Sequence, residues 1–224
     1  MATDVLPCIE LETGGSPTAS VIWLHGLGAD GNDFVPVVPE LALPDTLPLR
    51  FVFPHAPVRP VTINNGMRMR AWYDIYAADL HNRVDLAGVQ QSQDALETLI
   101  AREKARGMAA ARILLAGFSQ GGVIALHTAL RHREPLAGVI ALSSYLVQAD
   151  KLAEEAAAEN QDVPIFMAHG TADATVHFEW GEASKRTLES HGYRVEWHRY
   201  GMEHSVCMEE IQDLSAWMQR VLAT

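Results

Sequence analysis

Cysteine is nearly absent from this chain. Only Cys8 and Cys207 occur, so neither a disulfide framework nor a cysteine-based zinc site is available. Basic residues are also scarce, 17 against 28 acidic ones, and the formal net charge is -11. No Lys/Arg-rich tract interrupts that balance, which argues against a nucleic-acid partner and against polybasic attachment to a membrane. Long hydrophobic runs are missing too. No apolar stretch approaches the roughly 18–20 residues that cross a bilayer, so no stable membrane insertion is expected. The opening residues MATDVLPCIE lack a basic stretch followed by an apolar one, the pattern of a secretory signal, and a cytoplasmic protein is the expectation. There is no HExxH, and the histidine spacings suggest no metal site. Internal repeats, low-complexity tracts and linkers are absent. The 224 residues therefore read as one domain over 1–224.

What the chain does contain is an alternation. Short apolar runs at 19–25 (ASVIWLH), 49–53, 112–116 (RILLA), 138–142 (GVIAL) and 164–168 (PIFMA) read as strands, most of them apolar throughout as if buried on both faces. A further run at 193–200 (YRVEWHRY) alternates polar and apolar residues, as a strand near a sheet edge does. Helical periodicity fills the intervals 85–106, 120–132, 150–160, 178–191 and 208–222. Such alternation implies an α/β fold, a mostly parallel central sheet with helices on both faces, with functional residues on loops at the carboxyl ends of strands. Residues 54–82 show no clear period. They are too rich in aromatic and apolar residues for a linker and read as an ordered loop packed on the domain.

One loop carries chemistry. AGFSQGG, at 116–122, places Ser119 in a Gly-x-Ser-x-Gly string between RILLA and a helical pattern. The string alone arises by chance in about one chain in ten to fifteen of this length, from ordinary glycine and serine frequencies. The strand–turn–helix context is what a nucleophile elbow requires. A serine hydroxyl needs a base, and in this fold class the acid and the histidine follow the serine in the chain. His127 and His132 lie on the helix after the elbow and face away from it. His198 lies within the last strand. His204, in GMEHSV, sits on the strand-end loop that follows and is the candidate base. Asp173 is the one carboxylate in HGTADATV after PIFMA and is the candidate acid, while Asp150 and Asp162 flank a helical stretch. Backbone N–H groups of Gln120 and Leu27, the latter in the glycine-rich WLHGLGADGND, are candidate donors to an oxyanion. Trp72, Leu146 and Val176 are candidate pocket walls, with core packing the alternative for Trp72 and Leu146. His25, His55 and His169 at strand ends read as loop-bonding residues, and Cys207 as packing at a helix entry.

With these residues in place the chain resembles the phospholipase/carboxylesterase family, which includes bacterial carboxylesterases and acyl-protein thioesterases. WLHGLGADGNDF, FPHAPVRPVTINNGMRMRAWYDI, GFSQGG, LSSYL, HGTADATV and GMEHSV occur in the family order and span most of the chain. The resemblance implies a single α/β-hydrolase domain without a large cap domain, no cofactor, and association as a homodimer. It assigns Ser119, Asp173 and His204 as the catalytic triad, with Leu27 and Gln120 at the oxyanion hole. The expected activity is that of a serine carboxylesterase on short- to medium-chain esters. The alternative is an acyl-protein or small-molecule thioesterase or a lysophospholipase, and the motifs do not separate an ester from a thioester substrate. A non-catalytic binding protein on the same scaffold is disfavoured because all three candidate triad residues are present.

Overall fold

The computed structural model describes residues 5–77 and 84–223. Strands β1 (Cys8–Glu12) and β2 (Ala19–Leu24) come first, then a short helix α1 (Val37–Glu40) and β3 (Leu49–Pro54). A hairpin of β4 (Val58–Val61) and β5 (Met67–Arg70) follows. Helices and strands then alternate: α2 (Leu86–Ala105), β6 (Ile113–Phe118), α3 (Gln120–Ala129), β7 (Gly138–Leu142), α4 (Leu152–Glu155), β8 (Ile165–Gly170), α5 (Phe178–Ser190), β9 (Val195–Tyr200) and α6 (Met208–Leu222).

The main sheet runs β1-β3-β2-β6-β7-β8-β9. β1 pairs antiparallel with β3, and every other pairing in this sheet is parallel. The side-chain period of two sends alternate residues to opposite faces, and both faces are apolar. Ile22, Leu24, Ile113 and Leu115 join a core with Leu96, Leu99 and Ile100 of α2 and Val123, Ile124, Leu126 and Ala129 of α3. Val21, Trp23, Leu114 and Ala116 join the opposite core with Val38 of α1 and Ile211, Leu214, Trp217 and Met218 of α6. Burial on both sides is why these strands read as unbroken apolar runs. Among the described residues β9 pairs in the sheet with β8 alone, and its alternating sequence suits that edge.

The sequence reading does not anticipate β1, and two further stretches differ from it. The interval 150–160, rich in alanine, reads as a helix but is helical only over α4, with short turns of tighter helix on either side. Ala156 is extended at φ -60°, ψ 134°. Tertiary bonds override the propensity there: Ala157 N–H donates to Leu130 O, and the buried Asn160 amide donates to the His132 and Glu134 carbonyls while its oxygen accepts from Leu136 N–H. The interval 54–82 is ordered where it is described, but as a hairpin rather than a plain loop; 78–82 lie outside the described residues. Asp85 ties this interval to α2, since its carboxylate accepts from Gly88 N–H as the helix cap and from Asp74 N–H.

Candidate active site

β6 delivers Ser119 at its carboxyl end. Ser119 has φ 54° and ψ -122°, a conformation that L-residues avoid, before α3 begins at Gln120. The turn closes only because of its glycines. A Cβ on Gly117 would sit 2.3 Å from the Gly121 backbone, and one on Gly121 would sit 2.4 Å from Leu24 O. Ser119 N–H donates to Leu142 O of β7 at 2.8 Å, which pins the turn to the sheet. The side chain therefore faces a cavity of about 390 Å³ that His204 also lines.

His204 lies between β9 and α6. Its Nδ1–H donates to Asp173 Oδ2 at 2.7 Å, and its ring lies 4.7 Å from that of Phe118, the residue before the serine. Asp173 follows β8 and is buried. Its other oxygen accepts from Thr175 N–H and Val176 N–H, both at 2.9 Å. His169 stands behind it: Nε2–H donates to Val176 O at 2.8 Å and lies 3.5 Å from Asp173 Oδ2. Burial pulls the His169 pKa down, so the ring is neutral and holds the loop through that one proton. The structure thus brings Ser119, His204 and Asp173 to one place from the ends of three strands.

Gln120 and Leu27 also border the cavity. The Gln120 N–H opens α3, where the first turn of a helix leaves its N–H groups without intrahelical partners. Leu27 N–H has no acceptor among the described residues, whereas the next two residues do: Gly28 N–H donates to Arg70 O of β5 and Ala29 N–H to Gly26 O. His25 fixes the same loop. Its Nδ1–H donates to Gly26 O at 2.7 Å and its Nε2 accepts from Ala56 N–H at 3.1 Å, partners that set the tautomer, while burial pulls the pKa down.

Val176 lines the cavity; Trp72 and Leu146 do not. Trp72 is 1% exposed, with its indole N–H donating to His25 O at 2.9 Å, because a buried indole must find an acceptor. Leu146 is in the core, and its N–H donates to Ser184 Oγ. Their neighbours Tyr73 and Tyr145 face the cavity instead, joined hydroxyl to hydroxyl at 3.0 Å, alongside Ile63 and Ile75. The Gln120 side chain was also missed. Its Oε1 accepts from Trp72 N–H and its Nε2 donates to Tyr73 O, so it clamps the strand of wall on which Tyr73 stands. Nothing local in the sequence signals a contact across 47 residues. Among the described residues no cluster of three or more potential metal ligands occurs, and no helix is long and apolar enough to cross a membrane.

The phospholipase/carboxylesterase family model matches residues 8–222. The chain belongs to the phospholipase/carboxylesterase family. Acyl-protein thioesterase 1 of Neurospora crassa is 41% identical over 210 residues, covering 90% of this chain and 86% of the relative. Acyl-protein thioesterase 1 of Yarrowia lipolytica is 38% identical over 218 residues, covering 95% and 96%. The crystal structure of Arabidopsis thaliana SOBER1 superposes with a TM-score of 0.86 at 30% identity, covering 91% of this chain and 99% of that one. The parallel sheet with its flanking helices is therefore the α/β-hydrolase fold, and this family member is a hydrolase of the esterase and thioesterase kind.

Proposed function

We propose that this chain hydrolyses acyl thioesters and esters through a covalent acyl-serine, with thioesters the preferred class. The observation that carries the mechanism is the 2.7 Å bond between His204 Nδ1 and Asp173 Oδ2 beside the strained Ser119 in one cavity. Asp173 holds the imidazole with Nδ1 protonated, which leaves Nε2 to accept a proton. His204 takes the Ser119 proton as Oγ attacks the acyl carbonyl. The oxyanion that forms is met by the Leu27 and Gln120 N–H groups, for which the described residues offer no competing acceptor. His204 then protonates the departing thiol or alcohol. Water, deprotonated by His204, attacks the acyl-serine, and the acid leaves as His204 returns that proton to Ser119 Oγ. The cavity has room for an acyl chain along Ile63, Tyr73, Ile75, Tyr145 and Val176. No step calls on a cofactor.

The choice of thioester over short-chain carboxylic ester rests on the two fungal relatives, both named as acyl-protein thioesterases. The test is a panel that crosses acyl length with matched ester and thioester leaving groups. Higher kcat/KM on thioesters across acyl lengths supports the proposal. Selective turnover of short oxygen esters would return the reading to a carboxylesterase.

A further inference from the structure

The cavity has two chemically different walls. Tyr73 and Tyr145 are bonded to each other, and Ile63 N–H donates to Ile75 O, so one wall is continuous and largely apolar. His204, Phe118 and Asp33 line the same cavity, with Asp33 exposed to solvent. Asp33 adjoins Phe34, whose ring lies 5.8 Å from that of Phe118, which in turn lies 4.7 Å from His204. Asp33 is the one carboxylate among the described lining residues. Its carboxyl makes no hydrogen bond or ion pair among them, in contrast to Asp30, whose Oδ1 accepts from Asn32 N–H at 2.8 Å and from the Asn32 amide at 2.9 Å. Partial burial raises the Asp33 pKa, and the Asp30 charge adds to that. The other titratable groups on the cavity are His177 on the rim, His204 and the two tyrosines.

The chemistry decides which end of the substrate meets this carboxylate. The group that leaves must take its proton from His204, so it departs along the His204 wall, while the acyl chain takes the apolar one. A negative charge without a partner beside the departing group favours a positive charge on it. We propose that Asp33 selects substrates whose alcohol or thiol portion is cationic, an ammonium or guanidinium a few bonds from the scissile atom. This rests on the acyl-hydrolase reading of the site and narrows it to one class of leaving group.

The test compares the choline and neohexyl esters of one acid, and their thio analogues, in which a quaternary nitrogen is exchanged for carbon at constant shape. The wild-type chain is expected to favour the cationic member in kcat/KM by about 3- to 5-fold at low salt, the range of a partly exposed ion pair. Added salt should shrink that ratio. Asp33→Asn is expected to bring the ratio to about one, and Asp33→Lys to invert it, as follows from neutralising or reversing one charge. Reading a ratio removes any general loss of activity or stability in the variants. A cationic preference that persists in Asp33→Asn would assign it to the overall net charge of -11 and overturn the proposal. So would equal rates on both esters in the wild type. No turnover of any of the four compounds would instead remove the acyl-hydrolase reading, and the inference with it.

Discussion

Ser119 occupies a backbone conformation that carries a cost in stability. A non-glycine residue at φ 54° and ψ -122° costs on the order of 1–3 kcal/mol. Ser119→Gly is therefore expected to melt higher than the wild type while losing turnover. Ser119→Ala is expected to lose about 10³-fold or more in kcat with the fold intact. An organophosphonate probe should label Ser119, and mass spectrometry finding the adduct on Ser143 or Ser205 would move the nucleophile. Asp173→Asn removes the acceptor that sets the His204 tautomer, and kcat is expected to fall by about 10⁴-fold with KM changed far less. Near-normal turnover would place the acid elsewhere. His127 makes a different kind of demand. It is 2% exposed, and burial, with Arg131 adding, holds its pKa at about 3 against an ordinary 6.5. Below pH 6.5 the unfolded chain binds a proton there that the folded chain refuses. Stability is thus full above that pH and falls as the pH drops toward 3, by about 2 kcal/mol between pH 7 and pH 5. His127→Gln should flatten that part of the melting temperature against pH, and an unchanged slope would mean that another group controls acid lability.

At the scale of elements, α2 and α6 are held mainly by what they bury. Leu99 of α2 is 1% exposed in the core beneath the sheet, and Leu99→Ala is expected to cost about 2–5 kcal/mol in denaturant unfolding. The start of α6 adds a pH term of opposite sign to that of His127. Glu210, third residue of the helix, is buried, and desolvation holds its carboxyl up at about 8 against the pull of the Cys207 N–H. A raised carboxyl pKa contributes stability that is present below about 4.5 and is lost as the pH rises through 8. Glu210→Gln should therefore keep its melting temperature between pH 7 and pH 9 where the wild type loses some. Boundaries of most elements were legible in the sequence to within one or two residues, because apolar period and turn residues act locally. The interval 150–160 was not, since what breaks it is a set of bonds from Asn160 to residues more than twenty positions away. β1 escaped notice for a related reason: as an antiparallel edge strand it is only half-buried and carries no continuous apolar run.

At the scale of the whole molecule, the described residues between β7 and β8 form α4 and short turns, with no separate cap over the site. The hairpin of β4 and β5 contributes Ile63 and Asn64, from the turn between its strands, to the cavity, but it is a wall of one side. A site open in this way needs no lipid interface to uncover it. Rate against substrate concentration is expected to follow simple saturation through the micellar concentration, and a sharp rise there would reveal a lid. The sequence alone determined the order of the buried parallel strands, most of the helices between them, and the strand-end loops that carry Ser119, Asp173 and His204, because hydrophobic period and turn glycines are local properties. Only the tertiary structure decided which side chains face the cavity. Trp72 and Tyr73 are adjacent and both aromatic, yet one is held in the core by a bond to His25 O and the other faces the cavity with Tyr145. It also decided that His169 backs Asp173, that Gln120 clamps the wall, and that Asp33 lines the same cavity as His204. Those are contacts between distant parts of the chain, fixed by how the sheet twists and what packs on it, and a pattern that repeats every two or every three to four residues does not encode them.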